Sequence, residues 1–431
     1  MKIGFCTLGC KVNQYETEAI KELFLNNGWE IGEFSDFCDA YLINTCTVTH
    51  LSDRKSRQMI RRANSKNPDA VIAVCGCYAQ MSPLEVEEIE GVDIVIGTKN
   101  KLKAYELIVN KVRSNIVCPV EKEDYEDMEI TLFESKTRAI IKAQDGCNNF
   151  CAYCIIPYAR GRIRSRNLES IYNECVRLSQ NGFLEVVLAG IHICSYGKDL
   201  ENTNLITLLT KIHEIDKIKR IRLSSIEPNA FTDEFIDALK NLPKVCHHFH
   251  ISLQSGCDET LKRMNRRYDT HLYKSICEKL IKEFSDSAIT TDLIVGFPGE
   301  DEEEFNKTLN FIKEIPFYQI HTFKYSKREG TKAAGMENQV PSFIKDERSK
   351  KVLKISKEKS AEFEKSYIGK EVEILTETIS ANGMYMGHTS NYLPVYINSK
   401  EDIKDKLIKV KITHYEDNML MGEIINKENQ L

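Results

Sequence analysis

Long apolar runs are missing from this sequence. No stretch reaches the roughly 18 residues that a membrane-spanning helix needs. The opening MKIGFCTLGCKVNQ has too short an apolar core, and no small-residue cleavage site, for a secretory leader. The expectation is a cytoplasmic protein with no membrane partner. A strong field of one sign is absent as well, with 59 Lys and Arg against 64 Asp and Glu. Nucleic acid is therefore not drawn to the chain as a whole, and any contact with it rests on local patches. No internal repeat or low-complexity tract is visible. Cysteine is the exception to this plainness, at 15 residues in 431. In a reducing compartment, clustered cysteines read as metal ligands before they read as disulfides.

The length suits two or three domains. Apolar runs at 2–8, 40–44, 70–74 and 92–97 alternate with helix-like stretches at 15–28, 52–65 and 82–91. That alternation predicts an α/β unit over 1–120, a doubly wound parallel sheet. The acidic segment 121–134 reads as a linker turning into an edge strand. Six strand signals follow, at 138–144, 185–190, 220–225, 248–254, 288–297 and 320–326. Helical patterns near 168–181, 203–215, 231–240, 257–284 and 301–314 separate them. Six βα units predict a partial (β/α)6 barrel over 133–363, with its chemistry at the carboxyl ends of the strands. A charged helix near 345–369 leads into short β-rich runs, a small all-β barrel over 366–431.

Cys147, Cys151 and Cys154 are spaced C-x3-C-x2-C directly after the first barrel strand. Structural zinc wants four ligands. Three thiolates instead hold three corners of a 4Fe–4S cubane and leave one iron open to chelate a reactant. S-adenosylmethionine fits that role through its amino and carboxylate groups; a zinc knuckle short of one ligand is the plainer alternative. Cys10, Cys46 and Cys77 each follow a strand of the N-terminal sheet. The carboxyl ends of neighbouring parallel strands share one crevice, so these three can meet there. Ordinary buried cysteines are the competing reading, and Cys75 competes with Cys77 for the third place. Cys6 and Cys38 read as small buried residues.

CTLGCKVNQYETE (6–18), NTCTVT (44–49), DRKSRQMIRR (53–62), GCYAQ (76–80) and CNNFCAYCIIPYARGRIRSR (147–166) together resemble the radical S-adenosylmethionine methylthiotransferase family. So do IRLSSIEP (221–228), LQSGCDETLKRMNRRY (253–268) and DLIVGFPGE (292–300), while GHTSNYLPV (387–395) resembles the small RNA-binding TRAM barrel attached to these enzymes. The resemblance implies two 4Fe–4S clusters. Cys147, Cys151 and Cys154 would bind the radical-generating one, and Cys10, Cys46 and Cys77 a second that carries the sulfur to be donated. S-adenosylmethionine would serve as methyl donor and radical source. Tyr153 against its adenine, Gly190 for close backbone approach, and Glu227 and Gln254 as polar contacts are the expected cofactor-binding residues. An aromatic C–H has no leaving group, so no protein acid–base pair is expected. The implied partners are a tRNA anticodon stem-loop, a flavodoxin- or ferredoxin-type reductant and a sulfur donor.

Within the family, TLGCKVNQYETE and LAGIHICSYG (188–197) are most similar to the group acting on N6-threonylcarbamoyladenosine in tRNA. The alternatives are isopentenyladenosine in tRNA and an aspartate of a ribosomal protein. From a different class comes an RNA-binding protein whose clusters serve structure or electron transfer. Cys194 and Cys75 depart from the family's pattern. Three basic sets are candidates for RNA: Arg160, Arg162, Arg164 and Arg166, aligned if extended; Arg54, Lys55, Arg57, Arg61 and Arg62; and Lys262, Arg263, Arg266 and Arg267. From residue 366 onward seven Lys face ten Asp and Glu. That domain would read RNA by stacking through Tyr385, His388, Asn391 and Tyr392, hold the modified nucleoside's side chain, or pack on the central barrel. GFPGE (296–300) reads as a turn, with Glu300 capping the next helix.

Overall fold

The computed structural model describes residues 1–120, 125–131, 137–380 and 382–425. Strands β1 (Lys2–Thr7), β2 (Glu30–Gly32), β3 (Ala40–Thr45), β4 (Val71–Gly76), β5 (Ile94–Val95) and β6 (Ser114–Asn115) form one parallel sheet, ordered β2-β1-β3-β4-β5-β6. Successive side chains of a strand face opposite ways. Tyr41, Ile43, Ile72 and Val74 therefore meet Ile60 and Ala63 of helix His50–Lys66 on one face. Leu42, Ala73 and Cys75 meet Ile20 and Phe24 of helix Lys11–Asn26 on the other. The sheet is doubly wound as expected, and Cys75 is a core residue. Gly76 then breaks the strand at φ 100°, where a Cβ would stand 2.5 Å from the Thr45 carbonyl oxygen. Only glycine fits, and Cys77 is carried past the sheet edge.

The central unit contains β7 (Arg138–Asp145), β8 (Arg164–Ser165), β9 (Glu185–Gly190), β10 (Arg220–Leu223), β11 (His248–His250), β12 (Ala288–Val295) and β13 (Gln319–Lys324). β7, β9 and β10 run parallel, as do β11, β12 and β13. Parallel bridges Ile221–Val245 and Ile226–Ile251 join the two sets. The result is the expected six-stranded open barrel, with β8 folded back antiparallel on β7.

Several local expectations fail. The helix expected over 257–284 is two, Asp258–Arg263 and Thr270–Glu283. Asn265 takes a left-handed φ of 60° between them, and the Asp269 carboxylate caps the second by accepting from Leu272 N. The helix expected over 82–91 shrinks to Pro83–Glu87. The edge strand expected within 121–134 does not form over 125–131, and the rest of that segment lies outside the described residues. Its backbone is instead held by side chains, with Ile130 N donating to Glu174 (2.7 Å) and Thr131 N to Glu22 (2.7 Å).

Helix Ser342–Lys365 leads to a closed barrel of β14 (Glu371–Ile379), β15 (Tyr385–Thr389), β16 (Pro394–Ile397), β17 (Leu407–Glu416) and β18 (Met419–Ile424). It covers the amino ends of the central strands. Arg220, the first residue of β10, donates to the carbonyls of His388 and Glu373, each at 2.8 Å. The opposite, carboxyl end of the central barrel meets the N-terminal sheet.

Candidate active site

The first thiol set sits on a tightly turned loop. Gly146 ends β7 at φ 72°, where a Cβ would lie 1.9 Å from the Arg162 carbonyl oxygen. Cys147 N donates to Gly161 O (3.0 Å), and Cys154 N to Cys151 O (3.0 Å). Ala152, between the last two cysteines, bonds Met264 O (2.9 Å) and accepts from Ala333 N (2.7 Å), which fixes the loop from two sides. Arg266 aims an N–H at Cys151 Sγ (3.1 Å). Burial raises the Cys147 thiol, and burial together with nearby Cys151 pushes Cys154 up to about 12.

Cys10 caps helix Lys11–Asn26, Cys46 follows β3, and Cys77 opens helix Cys77–Met81. Gly9, at φ 107°, lies so close that a Cβ there would stand 2.8 Å from Cys46 Cβ. Its bareness lets the Cys10 loop fold over Cys46. Burial raises both Cys46 and Cys77, and each also feels Cys10. Asn13, one turn into the helix, donates to Leu8 O (2.8 Å) and Thr45 O (3.0 Å), clamping the two loops together.

Arg160 joins the two sets. It ends the short helix Ile156–Arg160 that follows Cys154, and it is fully buried. Its Nε donates to Cys77 Sγ (3.4 Å), Nη2 to Asn13 Oδ1 (2.6 Å), and Nη1 to Glu16 (3.0 Å) and Asp145 (3.0 Å). Lys142 and Lys101 also bond Glu16. Burial would push the Glu16 carboxyl up, but Arg160, Lys101 and Lys142 hold it well below the usual range. Among the described residues, no three Cys, His, Asp or Glu side chains are gathered to share a single metal ion. A cubane spreads its thiolates around four irons. Three thiols apiece, each set with a buried guanidinium N–H on one sulfur, fit that group.

Of the expected cofactor contacts, Glu227 is the best supported by its surroundings. It pairs with His192 (3.0 Å) and Arg266 (2.9 Å). Burial opposes its charge, yet the His192 hydrogen bond and Arg266 outweigh it and hold the carboxyl near 2. Tyr153 packs edge-on to Phe297, with centroids 6.4 Å apart. Gln254 takes a left-handed φ of 68° at the barrel mouth, its N donating to Asp292 O (2.8 Å). Gly190 ends β9, but a Cβ there would meet Gln144 Oε1 at 2.8 Å, so its smallness is required by the protein's own side chain. A cavity of about 430 Å³ opens beside this group, lined by His192, Cys194, Glu227, Asn229 and Phe235 among others. Cys194 does face it, accepting from Glu227 N at 3.3 Å.

Sequence reading missed His192, Asn13 and Glu16, and it misread Arg160 and Arg266. The only signal for the first helix was the i, i+3 pair of Asn13 and Glu16 directly after Cys10. The arginine run 160–166 is not an extended phosphate grip. Arg160 lies in a helix, and Arg164 and Arg166 are buried, Arg166 against Glu174 and Asp127. Only Arg162 is exposed, over the Phe150 ring at 4.6 Å. In the third set, Arg263 pairs with Glu304 and Arg266 with Glu227, leaving Lys262 and Arg267 exposed. On helix His50–Lys66 the residues Arg54, Lys55, Arg61 and Arg62 are exposed, whereas Arg57 bonds Glu85 and Tyr78.

In the C-terminal barrel the expected stacking residues face inward or onto the central barrel. Tyr385 is in the core. Asn391 bonds Asp286 O and Tyr367 Oη, each at 2.6 Å. Tyr392 stacks on His388 (4.4 Å) and His248 (5.0 Å), with Arg222 and Arg138 over its ring. Glu300 does not cap the following helix; Asp301 does. Glu300 accepts from Gly296 N (3.1 Å) and Arg348 (2.8 Å) instead.

Three family models match in succession: Uncharacterized protein family UPF0004 over 2–97, the Radical SAM superfamily over 141–312 and the TRAM domain over 365–425. The chain is 45% identical to the threonylcarbamoyladenosine tRNA methylthiotransferase MtaB of Bacillus subtilis, covering 95% of this chain and 93% of that one. It is 38% identical to the MtaB of Aquifex aeolicus (96% and 100% covered). It is also 36% identical to a tRNA-2-methylthio-N(6)-dimethylallyladenosine synthase of Finegoldia magna (97% and 94%). Among solved structures, the radical S-adenosylmethionine methyltransferase TsrM of Kitasatospora setae shares the fold at 15% identity, with a TM-score of 0.57 over 77% of each chain. With three domain types in this order, and relatives this similar along nearly their full length, the chain belongs to the radical S-adenosylmethionine methylthiotransferase family.

Proposed function

We propose that this chain converts N6-threonylcarbamoyladenosine beside the anticodon of tRNA to its 2-methylthio derivative. It does so with two 4Fe–4S clusters and S-adenosylmethionine. Cys147, Cys151 and Cys154 hold one cluster, and Cys10, Cys46 and Cys77 the other. When bound, these groups supply an open iron for S-adenosylmethionine, the electron that cleaves it to a radical, and the sulfur to be transferred. The protein's own part is to bind and to orient. A bound cluster would take the place of the thiol protons, which leave to solvent, and the N–H groups of Arg160 and Arg266 would stabilise the resulting thiolates. Glu227, kept ionised by His192 and Arg266, offers S-adenosylmethionine a charged polar contact. Tyr153 takes its adenine, with Gly190 and Gln254 at the edge of the pocket. Residues 1–120 carry the sulfur side, 133–363 the radical side, and 366–431 the RNA-binding domain. A flavodoxin- or ferredoxin-type reductant and a sulfur donor complete the partners, in the cytoplasm.

What supports this reading is that Arg160, six residues after Cys154, reaches Cys77 Sγ at 3.4 Å, so the helix that follows one thiol set packs directly against the other. Holding donor and acceptor together is the main help a radical substitution needs from a protein. The test is to weigh the nucleosides of tRNA from cells with and without the chain. A methylthio gain on threonylcarbamoyladenosine, abolished by Cys154→Ala and by Cys46→Ala, supports substrate and both clusters together. A gain on isopentenyladenosine would overturn the substrate, and no change in tRNA would overturn the reaction.

A further inference from the structure

The inner wall of the central barrel carries a polar patch that the two thiol sets leave unused. Along β11, β12 and β13 and the turn after β11, Ile251, Leu253, Leu293 and Ile320 are buried with Tyr273 and Ile312 of the outer helices. Side chains alternate along a strand, so His248, His250, Thr290, Asp292 and His321 face the barrel interior. Strand register sets His250 opposite Thr290, and Asp292 opposite His321. The Thr290 hydroxyl joins two of the histidines, 3.1 Å from His248 Nε2 and 2.9 Å from His250 Nδ1. The other nitrogen of His250 lies 3.2 Å from Asp292 Oδ2, so Thr290 and His250 together position the Asp292 carboxylate. That residue sits directly inside the mouth, where its carbonyl accepts from Gln254 N (2.8 Å). Its side chain is 30% exposed, and His321 beside it is exposed, with its ring 5.7 Å from that of His250. His321 also borders a cavity of about 530 Å³ along the free edge of β13, lined by Gln319, Phe323, Lys357 and Tyr415 among others. That volume is ordinary for a small-ligand site.

The threonylcarbamoyl group is polar along its length, with ureido N–H groups, a hydroxyl and a carboxylate. The isopentenyl group is a bare hydrocarbon. We propose that Asp292 and His321 are the specificity-determining pair of this enzyme, Asp292 accepting from a ureido N–H and His321 donating to the carboxylate of the threonylcarbamoyl side chain. The proposal rests on the substrate reading above and deepens it. The N6 substituent leaves the adenine from a different edge than C2, so a base with C2 toward the sulfur donor can send that substituent along the inner wall. A hydrocarbon laid on this wall would strip water from a carboxylate and an imidazole and return no hydrogen bond. A site built from such groups rejects the analogue that lacks their partners.

The test uses the anaerobically reconstituted full chain, with iron content matched across variants, and three anticodon stem-loop RNAs. They carry threonylcarbamoyladenosine, its methyl ester, or isopentenyladenosine. Binding is read by fluorescence anisotropy and product by nucleoside mass. The wild type is expected to bind the threonylcarbamoyl stem-loop about tenfold more tightly than the isopentenyl one, the effect of one hydrogen bond to a charged group. His321→Leu is expected to remove most of that margin and to make acid and ester bind alike. His321→Gln keeps a donor and should keep the preference for the acid. Asp292→Leu is expected to reduce the margin while the acid still outbinds its ester. The ratio between two RNAs on one protein is unaffected by a fraction of misfolded chain. If the wild type methylthiolates threonylcarbamoyladenosine and His321→Leu retains the full margin, the pair is overturned while the substrate reading stands. A wild type that modifies isopentenyladenosine in preference overturns both.

Discussion

At the scale of single residues, the guanidinium of Arg160 is the group with most at stake. It is buried and ties Glu16, Asp145, Asn13 and Cys77 into one network. Arg160→Met is expected to cost about 3 kcal/mol, because it leaves Asp145 and Glu16 short of a partner away from water. The denaturation midpoint of the cluster-free chain measures this. Arg162→Ala, two residues on, is expected to leave stability unchanged. It should instead reduce the slope of log affinity for tRNA against log salt by about one, the signature of a lost phosphate contact. The two arginines are indistinguishable in RGRIRSR. Burial separates them, and burial depends on which acids fold beside them from Glu16, Asp145 and Glu174, residues scattered across two domains. The positions of the cysteines were legible by contrast: C-x3-C-x2-C is a local pattern, and Cys10, Cys46 and Cys77 follow strands that the apolar runs mark out.

Elements separate the two neighbouring cysteines of the N-terminal sheet. Cys75 lies in β4 with its side chain in the core, and Cys77 lies past Gly76. Cys75→Ala is therefore expected to keep the full iron content, whereas Cys46→Ala or Cys77→Ala should lose about half on a two-cubane basis; iron assay of reconstituted protein checks this. At the amino end of β11, His248 bonds Thr290 Oγ1 (3.1 Å) and stacks on Tyr392 of the C-terminal barrel. Burial, then the Arg222 charge, hold its imidazole neutral, well below the ordinary 6.5. The sign follows from linkage. Below pH about 6.5 the unfolded chain takes up a proton that the folded one refuses, so stability falls with pH. Melting temperatures at pH 7.5 and 5.5 should show that drop, and His248→Gln should lessen it. Alternation of apolar runs made these strands legible in the sequence, but the break at Asn265 was not. The helical pattern continues across it, and only the packing of the two halves demands the turn.

For the whole molecule, the order of the three domains along the chain translates into opposite ends of one barrel. The N-terminal sheet meets the carboxyl ends of the central strands through Glu16, Arg160 and Lys142. The C-terminal barrel covers the amino ends through Arg220, Asn391 and Tyr392. Tyr392→Ala is expected to loosen that junction, speeding hydrogen exchange in residues 366–425 while iron content stays at the wild-type level. The acidic balance of this domain is then understandable. Glu373 and Glu377 partly neutralise Arg220 and Arg138, so acid here serves docking on a basic barrel end.

The strand and helix alternation and the C-x3-C-x2-C spacing were readable along the chain, because each is a local or periodic pattern, whereas Cys10, Cys46 and Cys77 were singled out as a set by likeness to a family. That likeness carried the chemistry. The folded chain settles that Arg160 and Arg166 are buried and paired while Arg162 is exposed, and that Cys75 is core. The physical reason is common to all of them. Whether a charge or a thiol is buried, paired or available depends on partners far away in sequence, and no window along the chain contains them.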